Sequence, residues 1–174
     1  EEYFNEVLRL NPNYYQAYFQ LGYLNTKLGD YELALVNYKK TVEMNPGYTK
    51  GWFALGLTYQ RNGDYDSAIN ALDSAVGADP TNVKALVQKA KILMKQGDYK
   101  SAEGAYNQAI QVDPSYGAAY ADLGQIYVTQ ERWDDAISAL STATALDTRL
   151  YKAWFLLAQS QNVKGSCDDA KESS

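Results

Sequence analysis

Histidine is absent from the 174-residue sequence, so the commonest general base and the commonest metal ligand are both missing. The single cysteine, Cys167, excludes an intrachain disulfide and a cysteine cage for zinc. It reads as a small packing residue, not a reactive thiol. No apolar run approaches the ~18–20 residues that span a bilayer, and no secretory signal pattern opens the chain. Glycine-rich phosphate loops, zinc motifs and nucleophile elbows are lacking too. The acidic pairs Asp134-Asp135 and Asp168-Asp169 fall at helix starts, where capping accounts for them. An enzyme is therefore not expected, and neither is a cofactor or a metal. A lone thiol leans toward a reducing, cytoplasmic compartment but equally suits an exported or periplasmic protein, so localisation stays open.

Proline is scarce, and its placement organises everything else. The four residues Pro12, Pro46, Pro80 and Pro114 are each 34 positions apart. A fixed period of this length is the signature of a solenoid. Other columns obey the same offset: Ala34, Ala68, Ala102, Ala136 and Ala170; Tyr31, Tyr65, Tyr99, Trp133 and Cys167; Gly29, Gly63, Gly97 and Gly165, with Glu131 as the exception. Gly22, Gly56 and Gly124 form a further column, filled by Ala90 and Ala158 in the other repeats.

Trp52, Leu55, Gly56, Tyr59, Ala68, Leu72 and Pro80 reproduce the pattern W-x2-L-G-x2-Y, A-x3-F, P. The chain thus resembles the tetratricopeptide repeat family over essentially its whole length. That resemblance implies an all-α fold, a right-handed α-solenoid (superhelix) of antiparallel helix pairs with about 10–11 helices. Full repeats are expected at 15–48, 49–82, 83–116 and 117–150, with Thr148 replacing the proline of the fourth. A partial fifth follows at 151–174, and residues 1–14 match a second helix whose first helix is missing. Residues 1–174 read as one such solenoid, cut in mid-repeat at both ends and so a fragment of a longer array.

Each column has a physical reason. Small residues such as Gly22 and Ala34 let paired helices approach closely. Aromatic and aliphatic residues at helical spacing fill the seam. In Gly29-Asp30-Tyr31 and its equivalents, glycine suits the left-handed position that ends one helix, and aspartate caps the next. Lys89 stands where Leu21, Leu55, Leu123 and Leu157 occur, so its stem should pack while its ammonium reaches outward.

Charge is distributed unevenly. First-helix segments 15–28, 49–62, 83–96, 117–130 and 151–164 hold nine cations and one acid, Asp122. Their net charge of +8 within a chain of −5 leaves −13 elsewhere. The resemblance implies which first-helix positions face a concave groove. Those positions include Phe19, Tyr23, Lys27, Lys50, Phe53, Arg61, Lys84, Lys91, Lys95, Lys152 and Phe155, and no carboxylate. The implied function is a protein–protein interaction scaffold holding a protein or peptide segment that is acidic with apolar anchors. Its cations would steer the segment and its aromatics would anchor it.

Some relatives clamp the C-terminal carboxylate of heat-shock chaperones with Lys and Asn, then Asn, then Lys and Arg on successive first helices. The matching positions here hold Phe19, Tyr23, Ala54, Lys84 and Gln88 in the first register, and no later register restores the set. That specificity is not expected. The alternatives are self-assembly as a homo-oligomer and single-stranded nucleic-acid binding, the latter opposed by a sequence pI of about 4.7.

Overall fold

A computed structural model describes residues 2–172, with side chains through residue 166. Among the described residues there are ten α-helices and no strand. They are α1 (Glu2–Leu10), α2 (Tyr15–Leu28), α3 (Tyr31–Met44), α4 (Thr49–Arg61), α5 (Tyr65–Ala78), α6 (Val83–Gln96), α7 (Tyr99–Val112), α8 (Gly117–Thr129), α9 (Trp133–Leu146) and α10 (Tyr151–Glu172). The helices fall into two compact units, residues 1–92 and 93–174. In the first, consecutive helices α1 to α5 pack in order; in the second, α7 to α10 do the same.

The repeating joints are built as the residue types require. Gly29, Gly63 and Gly97 take φ of 82°, 84° and 82°, the left-handed conformation that a Cβ disfavours. Directly after them Asp30, Asp64 and Asp98 accept the backbone N–H of Leu33, Ser67 and Ser101 at 3.0, 3.1 and 3.1 Å. These bonds, with the Ser67 and Ser101 side chains foremost, hold the carboxyls of Asp64 and Asp98 below the usual range. Where glycine is missing, the backbone does not change: Glu131 adopts φ 57°.

The joints between repeats consume further acids. Asp79 accepts from the N–H and hydroxyl of Thr81 at 3.0 and 2.7 Å, and Asp113 accepts from both groups of Ser115 at 2.9 and 2.6 Å. Asp147 accepts the N–H of Arg149 at 2.9 Å although Thr148 stands in the proline column. These Asx turns were hidden in the sequence behind the more conspicuous prolines.

The core follows the alanine column. Ala34, Ala68, Ala102 and Ala136 are wholly buried, and four residues on, Tyr38, Leu72, Tyr106 and Leu140 are buried with them. Opposite Leu140 lies Gly124, where an added Cβ would stand 2.5 Å from the Leu140 Cγ. Closeness of this kind explains the small-residue column. Lys89 behaves as its register suggested: its side chain is half-buried, and its ammonium reaches Asp73 on α5 at 2.5 Å. The last helix departs from the pattern, because α10 continues through Gly165 without a break. Ser166, in the capping column, returns its hydroxyl to the Asn162 carbonyl at 3.0 Å and does not start a new helix. Cys167 lies outside the described side chains.

Candidate functional site

Within the first unit, α2, α3, α4 and the start of α6 enclose a cavity of about 460 Å³. Seven of the eleven residues named from the sequence line it: Phe19, Tyr23, Lys27, Lys50, Phe53, Arg61 and Lys84. Amphipathic register explains their meeting, since positions four or so apart on α2 and α4 share one face. The walls also include Ala54, Leu57, Thr26, Thr58 and Asn82, and the floor is Tyr38, a second-helix residue.

The apolar part is ordered by ring contacts. Phe19 stands 5.6 Å from Tyr38 and 5.3 Å from Tyr48, the latter edge to face. Thr26 and Thr58 donate their hydroxyls to the carbonyls of Gly22 and Ala54, each at 2.8 Å. Tyr38 is the polar feature of the floor. Its hydroxyl is 3.5 Å from that of Thr26, the outer limit of a hydrogen bond. Burial raises its pKa above the ordinary phenol value, with the Thr26 contact and the Arg61 charge acting in the opposite direction.

The charged part is unusual in this chain. Arg9, Lys40, Lys89, Arg132, Arg149 and Lys164 each pair with a carboxylate. Lys27 lies over the Tyr23 ring, 5.4 Å from its centre. Lys50, Arg61 and Lys84 have no ion pair among the described residues, and no carboxylate lines the cavity.

The remaining four positions lie elsewhere. Lys91 is exposed on α6 outside the cavity wall. Lys95, Lys152 and Phe155 belong to the second unit, where Lys152 donates to Gln125 at 2.7 Å and Phe155 is 68% exposed. Asp122, the one first-helix acid, has an internal role there: it accepts the Tyr106 hydroxyl at 3.2 Å. Sequence reasoning did not place Tyr38, a buried second-helix residue, among those that line the cavity. The available signal was a pair of tyrosines, Tyr38 and Tyr106, in a column where Leu72 and Leu140 are aliphatic.

Among the described residues no group of three acids or cysteines is placed to hold a metal, and no helix is long and apolar enough to cross a membrane.

Tetratricopeptide repeat models match residues 15–48, 53–117 and 93–159. No curated protein matches the sequence closely enough to count as a relative. Among solved structures, that of MamA protein superposes with a TM-score of 0.80 at 25% identity, covering 91% of this chain and 86% of that one. MamA from Desulfovibrio magneticus RS-1 gives 0.77 at 23% identity, with coverage of 91% and 89%. YrrB, a TPR protein with an unusual peptide-binding site, gives 0.77 at 19% identity, covering 93% and 84%. With its 34-residue columns, its helix pairs and these matches in agreement, the chain belongs to the tetratricopeptide repeat family.

Proposed function

We propose that this chain is a protein-interaction scaffold, without catalytic activity, whose first-unit cavity receives a partner segment that is acidic and carries apolar anchors. One observation supports this above the others. In a chain of net charge −5 that pairs many of its cations internally, Lys50, Arg61 and Lys84 stand without carboxylates around an aromatic cavity. Cations in that arrangement attract an acidic ligand over roughly a Debye length of ~8–10 Å. Phe19, Phe53 and Leu57 then supply apolar surface, at about 1.5–3 kcal/mol for each large side chain fully buried against them. YrrB, of the same fold, has a peptide-binding site. Lys91 on α6, and Lys95, Lys152 and Phe155 in the second unit, carry the same basic and aromatic character on their own helices.

The test is binding of an acidic, Phe- and Leu-containing peptide at low and high salt, to the natural chain and to a Lys50→Glu/Lys84→Glu variant. Affinity should fall with salt and fall at least tenfold in the variant; unchanged affinity would refute the basic-groove reading. A second reading, self-association, is favoured by the exposed aromatics Tyr151, Trp154 and Phe155 on α10. Sedimentation against concentration distinguishes it.

A further inference from the structure

The repeat register allows one site to be compared with another in the same chain. In the second unit Tyr106, on the second helix of its repeat, donates its hydroxyl to Asp122 on the next first helix. Sixty-eight positions earlier the corresponding residues are Tyr38 and Ala54. Both line the cavity. The tyrosine is retained and the carboxylate is gone, leaving a methyl group in its place.

Around that place the charge also changes. Arg61, whose positive field reaches the Tyr38 phenol, corresponds in register to Thr129. Lys50 corresponds to Ala118, and Lys84 to Lys152, which is engaged with Gln125. A buried tyrosine hydroxyl with one long contact, a small residue where its acceptor should be, and three cations without acids together describe a carboxylate seat whose carboxylate is not supplied by the chain.

We propose that the cavity binds a partner's Asp or Glu side chain at this seat, its carboxylate accepting the Tyr38 hydroxyl beside Ala54 as Asp122 accepts that of Tyr106. The inference rests on the groove reading above and adds to it a specific ligand group and a specific reader. Tyr38 is then more than a seam residue, because its ring fills the core while its hydroxyl selects an acceptor. An amide in the ligand would accept that proton but would gain nothing from Arg61, Lys50 and Lys84.

Fluorescence anisotropy at low ionic strength tests this with a twelve-residue labelled peptide in which Glu alternates with Phe and Leu, and with its Gln counterpart. Tyr38→Phe should weaken binding of the Glu peptide by about fivefold to tenfold while leaving helix content and melting unchanged. Ala54→Asp should occupy the seat from within and weaken the same peptide by about tenfold or more. Ala54→Leu, similar in size but with neither charge nor acceptor, controls for bulk and should cost clearly less. If Leu blocks as well as Asp, the effect is steric and the seat is overturned. If the Glu peptide binds in a manner that needs Lys50 and Lys84, yet Tyr38→Phe and Ala54→Asp bind like the natural chain, the seat fails and the groove stands. If the peptide does not bind the natural chain at all, both fall.

Discussion

The guanidinium of Arg132 lies 4.2 Å above the ring centre of Tyr127. Both residues also bond to Glu103, the tyrosine through its hydroxyl at 3.0 Å and the arginine at 2.9 Å. Three helices of the second unit are tied by this one cluster, because α7 supplies the acid, α8 the ring and the α9 N-cap the cation. Burial first, and then the bond to Glu103, pushes the Tyr127 phenol up to about 12.

A pH dependence follows from that shift. An unfolded phenol titrates near 10, so between about 10 and 12 the folded state keeps a proton that the unfolded state has lost. The stabilisation is complete below about pH 10 and is lost as pH rises through the folded value. Denaturant midpoints should therefore drop on the alkaline side. Tyr127→Phe should lower stability by about 1 kcal/mol at neutral pH and flatten the alkaline decline. An alkaline slope as steep in the variant as in the natural chain would contradict this account.

Glu131 holds a left-handed backbone that glycine holds in three sister joints. For a residue with a Cβ this conformation costs about 1 kcal/mol. Glu131→Gly should raise the melting temperature by roughly 2–4 °C. Gly97→Ala, the reverse experiment, should lower it by a similar amount. Calorimetry of the two variants checks both signs.

Glycines inside helices divide into two kinds, and alanine tells them apart. At Gly124 a methyl group would collide with Leu140, whereas at Gly104 nothing lies within 4 Å. Gly124→Ala should cost about 1–3 kcal/mol. Gly104→Ala, on an exposed face of α7, should instead stabilise by about 0.5–1 kcal/mol. Urea titrations that moved both midpoints in the same direction would show the close approach to be unimportant.

Much of this architecture was legible in residue spacing, because each repeat solves the same packing problem with the same residue types. Asp30, Asp64 and Asp98 could be read as caps, and Gly29, Gly63 and Gly97 as helix ends, since one physical requirement admits few residues. Lys89 was legible as a leucine-column residue with a packed stem, but its partner Asp73 lies on another helix, sixteen positions away. The cavity was legible only in part. Lys50, Phe53 and Arg61 announce themselves as surface residues on one helical face, while Tyr38 belongs to the core column and its hydroxyl escapes a pattern that records only size. Nor could spacing tell that Asp122 is satisfied by Tyr106, because that depends on how two helices meet.

The wholly buried alanine column has a further consequence. Ala34, Ala68, Ala102 and Ala136 expose nothing to water, whereas exposed residues occupy the helix faces between them. Tolerance to substitution should therefore itself recur every 34 residues, and a scan of all single variants would trace the repeat as a wave of intolerance along the chain.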